Sequence, residues 1–167
     1  MNPLRLSDAA LLAQCELDRF RGSGPGGQKR NKTESAVRLR HRPSGLSVVA
    51  SESRSQHENR GRALRRLRQR IAAQLRQPVD LAGYQVPAEL RALCPGATPR
   101  LGPRDVAYPL AVQQLLDLFA ALRSSVADTG TRLGLSTGAT SRMLLAEPWV
   151  ARAANALRVA CGRRPLR

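Results

Sequence analysis

A chain of 167 residues has room for one domain or for one domain with an appendage, and its 42% hydrophobic but only 3% aromatic content implies a core of Leu, Val and Ala. Lys and Arg number 28 against 12 Asp and Glu, a net charge of +16 that points to a polyanionic partner, with RNA or DNA the default and a merely solvated basic surface the plainer alternative. Cys15, Cys94 and Cys161 fit neither a disulfide frame nor zinc spacing, no signal region follows Met1, and the most apolar run, 108–122, is broken by Gln113, Gln114 and Asp117. The expectation is therefore a soluble, cytoplasmic protein with no metal, no membrane span and no small-molecule ligand.

The predicted elements begin with a short helix capped by Ser7 and carrying Leu11, Leu12 and Cys15. Residues 17–32 follow, rich in Gly and charge and without periodicity, and read as a short strand entering a long exposed loop. From Ser35 the period changes to two: Val37, Leu39 and His41 alternate with Arg38, Arg40 and Arg42, which predicts a half-buried strand with a basic outer face. Pro43-Ser44-Gly45 has turn chemistry, and Leu46, Val48 and Ala50 resume the alternation, giving a β-hairpin.

Ser55-Gln56-His57-Glu58 has capping-box spacing, with a Ser oxygen for the N3 amide and a Glu reaching back. The helix it opens carries one apolar stripe, Leu64, Leu67, Ile71 and Leu75, while Arg60, Arg62, Arg65, Arg66, Arg68, Arg70 and Arg76 occupy much of the remaining surface. A small sheet with this hairpin packed on a basic amphipathic helix is an α+β unit over residues 1–77. Five prolines and three glycines in 78–104 predict a linker, and 105–167 reads as a small all-α region of four helices. Val112, Leu115, Leu116, Phe119 and Leu122 mark the first of these; the second ends near Gly134, the third is capped by Ser136, and the fourth carries Trp149, Val150, Ala153 and Leu157. Residues 126–157 weakly resemble a helix-turn-helix, beside the plainer reading of a bundle packing on itself.

The charge is uneven. Residues 1–77 carry 17 basic and 6 acidic side chains, and residues 78–167 carry 11 and 6, so the polyanion reader is expected in the first half. Its most informative segment is Arg21-Gly22-Ser23-Gly24-Pro25-Gly26-Gly27-Gln28-Lys29-Arg30-Asn31-Lys32. Gly22, Gly24 and Gly27 match G-x-G-x-x-G, but neither a buried strand before nor an apolar helix after supports a dinucleotide fold, and Gln28 stands where a Walker A loop needs Lys. Gly26 and Gly27, lacking Cβ atoms, let the main chain approach a ligand closely. Gln28 has no proton to trade near neutrality, yet its backbone N–H can face a developing oxyanion while its side-chain amide helps place a water. Lys29, Arg30, Asn31 and Lys32 would hold phosphates nearby. The residues alone equally allow a basic glycine loop that only binds RNA.

Gly24-Pro25-Gly26-Gly27-Gln28, Asn31-Lys32-Thr33, Ser35-Ala36-Val37, His41-x-Pro43-Ser44-Gly45 and Arg54-Ser55-Gln56-x-x-Asn59 together resemble the catalytic GGQ domain of class I peptide chain release factors, over roughly residues 5–77. The resemblance implies that Gly26, Gly27 and Gln28 enter the peptidyl transferase centre of the ribosome and promote attack of water on the ester of peptidyl-tRNA, without metal or organic cofactor. Gly24 and Pro25 would shape the loop, and Arg38, Arg40, Arg62, Arg65 and Arg66 would add to the rRNA-binding surface. In that family the Gln backbone amide stabilises the transition state, the terminal tRNA ribose hydroxyl assists proton transfer, and the Gln is a methylation target. Two positions depart from the pattern: Gly22 replaces a small hydroxyl residue or Ala, and Arg30 replaces a β-branched residue, adding charge beside Gln28 while leaving the triplet intact. No decoding domain of the usual kind is read in the sequence, so the expected class is a short, codon-independent factor rescuing stalled ribosomes or acting on large-subunit complexes. The alternative is a non-catalytic RNA- or DNA-binding regulator using the basic helix and the C-terminal helices.

Overall fold

The computed structural model describes residues 1–21 and 35–167. The chain divides into two compact units, Met1–Ile71 and Ala72–Arg167.

In the first unit the Ser7 hydroxyl accepts the Ala10 N–H (3.2 Å) and opens helix α1, Asp8–Ala13. Cys15, expected on this helix, instead begins strand β1, Cys15–Phe20, and its thiol donates back to the Leu11 carbonyl (3.2 Å). The helix stops early because Gln14, its C-cap, already bonds back to Leu11 and Leu12 in a tightened last turn. Strands β2 (Ala36–His41) and β3 (Ser47–Ala50) complete an antiparallel sheet in the order β1-β2-β3. Val37, Leu39 and His41 are buried, and Arg38 and Arg40 are exposed, as the alternation requires. At the hairpin turn His41 N–H donates to the Leu46 carbonyl and Gly45 N–H to the His41 carbonyl (2.8 Å each), with Gly45 at φ +69°, where a side chain would strain the backbone.

Helix α2, Gln56–Gln74, is opened by the Ser55 hydroxyl accepting the Glu58 N–H (3.3 Å). The reciprocal half of the capping box is absent. Ser55 N–H donates to the Ser53 hydroxyl (3.0 Å), so the Glu58 carboxylate is released to reach forward to Arg62 (3.6 Å). Ala63, Leu64, Leu67 and Ile71 form the buried stripe that, with the inner face of the sheet, makes the core of this unit. Leu75 lies one residue past the helix, where the 3.6-residue period no longer holds, and is half-buried.

The second unit corrects the reading of 78–104 as a linker. Helix α3, Ala88–Leu93, lies inside that stretch, with Leu90 fully buried and Leu93 nearly so. Pro87 occupies its N-cap, and Pro95 follows its C-cap Cys94, so the prolines delimit a helix rather than forbid one. Val79, Leu81, Tyr84, Val86 and Leu101 pack against the same core. The four C-terminal helices form as expected: α4 Tyr108–Ala121, α5 Val126–Leu133, α6 Thr137–Leu144 and α7 Pro148–Ala160. Helix α4 is central, with Val112, Leu115, Leu116 and Phe119 buried, and Trp149 meets Tyr108 edge-on at 6.3 Å. No helix among the described residues is long and apolar enough to cross a membrane.

Asp117 of α4 is 5% exposed, pairs with Arg76 (3.0 Å) and accepts the Gln77 N–H (3.2 Å). Burial pushes its carboxyl up to about 6, and the Arg76 guanidinium offsets only part of that cost. The folded state therefore holds the proton more tightly than the unfolded chain, where an Asp titrates near about 3.9. Stability from this group is greatest at low pH and falls as pH rises through the window between those values. Urea denaturation at pH 4, 5, 6 and 7 should show wild type losing stability relative to Asp117→Asn across that range. A second expectation concerns Gly130, where an added Cβ would stand 2.7 Å from the Leu135 carbonyl oxygen. Gly130→Ala should cost about 1–3 kcal/mol by overpacking, read as a lower thermal midpoint.

Candidate functional site

Strands β1 and β2 pair as far as Phe20 and Ala36, so the sheet delivers Arg21 and Ser35 side by side at one end. Gly24, Pro25, Gly26, Gly27, Gln28, Lys29, Arg30, Asn31 and Lys32 lie outside the described residues, as do the two departures at Gly22 and Arg30. The architecture bearing on them is therefore the root from which 22–34 springs.

That root is tied by Asn59. Its side chain is completely buried, and Nδ2 donates to the Ser35 carbonyl and to the Ser53 carbonyl (2.7 Å each), while Oδ1 accepts the Ser53 N–H (3.0 Å). One amide thus joins the first turn of α2, the turn after β3 and the residue at which the chain re-enters the sheet. The sequence pattern marked Asn59 as part of a motif without showing its partners, because Ser35 is 24 residues away.

The far end of the hairpin is fixed by His41, 1% exposed, which in its neutral tautomer donates from Nε2 to Gln14 Oε1 (3.1 Å) and accepts at Nδ1 from the Ser44 hydroxyl (2.7 Å). Burial lowers its pKa, which favours that neutral form. His41 is a clamp on the turn.

The arginines proposed for RNA fall into two groups that the fold does not merge. Arg38 and Arg40 stand on the outer face of β2, each beside a β1 carboxylate: Asp18 at 3.0 Å and Glu16 at 3.7 Å. Arg62, Arg65 and Arg66 lie on α2; Arg62 pairs with Glu58, and Arg66 pairs with Glu52 (2.5 Å) while donating to the Val49 carbonyl (2.6 Å). Such half-exposed pairs contribute about 0–1 kcal/mol, so phosphates can compete for these side chains. Arg65 is exposed and has no ion-pair partner among the described residues.

Two members of the α2 arginine row are structural instead. Arg68 is 5% exposed and binds Asp8 Oδ1 (2.7 Å), the Leu6 carbonyl (2.8 Å) and the Leu4 carbonyl (3.3 Å), fastening the N-terminal segment to the helix. Arg76 lies beyond the helix end and pairs with Asp117. A period of 3.6 sets Arg68, four residues after Leu64 and three before Ile71, at the edge of the apolar stripe, and it does not extend to Arg76 beyond the helix end; for neither can it show which chain from elsewhere folds over it. Among the described residues no cluster of His, Cys, Asp or Glu is arranged to hold a metal ion, and Cys15, Cys94 and Cys161 are free thiols.

The RF-1 domain family matches residues 12–82. Peptide chain release factor 1 of Acidiphilium cryptum is 53% identical over 64 residues, 38% of this chain and 18% of that protein. Peptide chain release factor 1 of Caldicellulosiruptor bescii is 55% identical over 56 residues, 34% of this chain and 16% of that protein. Peptide chain release factor 2 of Paramagnetospirillum magneticum is 51% identical over 59 residues, 35% and 16% respectively. The segment belongs to the class I release factor family, as its GGQ domain. The chain spans less than a fifth of the length of these relatives.

Within this release-factor domain Asn59 is the most exacting structural position. Asn59→Ala should cost on the order of 3 kcal/mol, because it strands the buried Ser35 carbonyl and the Ser53 groups. Asn59→Asp should be worse, since it sets a carboxylate against two carbonyl oxygens. Urea denaturation of both variants measures the effect.

Proposed function

We propose that the chain hydrolyses the ester of peptidyl-tRNA on the ribosome, independently of a stop codon, rescuing stalled ribosomes or acting on large-subunit complexes in the cytoplasm. The observation that carries the reading is the RF-1 domain match over residues 12–82, which contains Gly26-Gly27-Gln28. Gly26 and Gly27 allow close approach of the main chain to the ester, and Gln28 supplies its backbone N–H to the oxyanion and its amide to the attacking water. None of these groups titrates near neutrality, so proton transfer falls to the terminal ribose hydroxyl of the tRNA, and no metal or cofactor is called for. Gly24 and Pro25 set the loop geometry. Lys29, Arg30, Asn31 and Lys32 contact rRNA phosphates within the peptidyl transferase centre, with Arg38, Arg40, Arg62, Arg65 and Arg66 supporting them further out.

Codon independence is the finer part of the proposal. It is supported by the 78–167 segment being taken up by helices around a core of their own. The deciding measurement is release of labelled peptide from ribosomes stalled on a truncated message and from split large subunits carrying peptidyl-tRNA. Wild type should be active on at least one, and Gln28→Ala or Gly27→Ala should lower the rate at least about 100-fold, the scale of losing an oxyanion donor or its geometry. A wild-type chain inactive on both complexes sinks the proposal, and activity confined to stop-codon complexes removes its codon-independent part.

A further inference from the structure

Between α3 and α4 the chain runs Pro95-Gly96-Ala97-Thr98-Pro99-Arg100-Leu101-Gly102-Pro103, too rich in Pro and Gly to pack on the bundle as a helix or strand. It stands off instead as one wall of a cleft within the second unit. That wall is fixed: Leu101 N–H donates to the Ala92 carbonyl (2.8 Å), and Gly102 N–H donates to Asp105 Oδ2 (2.6 Å). The second wall is α6, through Arg142 and Met143, with Ala146 just past its end. Leu93 and Tyr108, both nearly buried, close the floor. The cleft holds about 480 Å³, and ligand sites run from roughly 300 to 1,000 Å³. With its loop wall tied by backbone bonds and its other wall helical, it is formed before anything binds. Ester hydrolysis has no use for it.

The charge on the cleft has one sign. Arg100 lines it from the loop and Arg142 from α6; both are exposed, and neither guanidinium has a hydrogen-bond or ion-pair partner among the described residues. Arg142 lies back along α6, 3.6 Å from where a Gly138 Cβ would be. Burial raises the pKa of the Tyr108 hydroxyl, Glu147 adds to the rise and Arg100 opposes it, so the Arg100 charge is felt at the floor. Asp105 and Glu147 are the nearby carboxylates, but neither lines the cleft. Guanidinium groups do not shed their protons near neutrality, so an anion carried by the occupant is what would balance them. The rest of the lining says what else the occupant carries. Bases stack on exposed rings, and Tyr108, the one aromatic of the cleft, is 4% exposed. Leu93, Leu101 and Met143 offer an apolar recess instead, open to solvent rather than enclosed. An apolar side chain presented between carboxylates by a peptide satisfies recess and cations together.

We infer that the cleft between the 95–103 segment and α6 binds an acidic peptide, seating an apolar side chain on Leu93, Leu101 and Met143 and flanking carboxylates on Arg100 and Arg142. The probe is a fluorescein-labelled nonapeptide, Gly-Ser-Glu-Asp-Leu-Asp-Glu-Ser-Gly, compared with its counterpart carrying Ser in place of Leu. Binding to the full chain is read by fluorescence anisotropy at an ionic strength of about 0.15 M. The Leu peptide should bind at least about 10-fold more tightly than the Ser peptide, the scale of burying one leucine. Arg100→Gln/Arg142→Gln should weaken the Leu peptide about 10-fold, whereas Arg163→Gln/Arg164→Gln, an equal charge change elsewhere in the same unit, should change it no more than about threefold. Ala146→Trp fills the recess from an exposed position, so it should bring the Leu peptide down to the Ser peptide with the thermal midpoint unchanged. Equal affinity of the two peptides, equal effects of the two arginine pairs, or undiminished Leu-peptide binding in Ala146→Trp would each overturn the inference. So would a nine-nucleotide oligouridylate that binds more tightly than the Leu peptide and loses that binding in Arg100→Gln/Arg142→Gln. The readout is independent of peptide release: Gln28→Ala should bind the Leu peptide as wild type does.

Discussion

The buried amide of Asn59 is the constraint on which the release-factor domain depends. The turn after β3 brings the Ser53 N–H and carbonyl, and the returning strand the Ser35 carbonyl, to one point, and a single side chain on α2 with two donor hydrogens and an acceptor oxygen satisfies them. Because α2 is held to the sheet by its apolar stripe, pinning Ser35 to the first turn of α2 also fixes where the chain leaves 22–34 and re-enters β2. A loop whose proposed chemistry is backbone geometry needs a rigid root more than it needs titratable groups. His41 performs the corresponding task at the opposite end of the hairpin, and its burial in neutral form suits a clamp rather than a base.

Positive charge in this chain divides by burial. Arg68 is enclosed by carbonyls and a carboxylate, and Arg76 is held against Asp117, so their charges are committed within the protein. Arg38, Arg40 and Arg62 are held by exposed acidic neighbours, and Arg66 by Glu52 together with the Val49 carbonyl, an arrangement that orients the side chains while leaving them at the surface.

Much of this was legible in the sequence, and the failures have a common cause. Alternation gave the orientation of β2 and β3, Gly45 and Gly134 gave the turns, and Ser7, Ser55 and Ser136 gave helix starts, because each depends on residues within four positions of one another. Cys15 was placed on the wrong element and Leu75 at the wrong distance because helix ends depend on competing bonds as well as on periodicity. The 78–104 segment was misread because its prolines were counted without regard to their positions, and the apolar side chains between them find a core that local pattern does not contain.

By itself the sequence determined the family of the 12–82 segment. Gly26-Gly27-Gln28 in its spaced context marks the segment that matches the RF-1 domain, and the net charge of +16 is likewise a matter of which residues are present. Only the tertiary structure decided which arginines stay at the surface and which are buried to hold the protein together. It alone joined Asn59 to Ser35, and it alone turned a weak pattern around Gly134 into two helices meeting at Gly130. The reason is distance along the chain: Arg68 and Asp8 are 60 residues apart, and neither side chain carries in its neighbourhood any sign of the other.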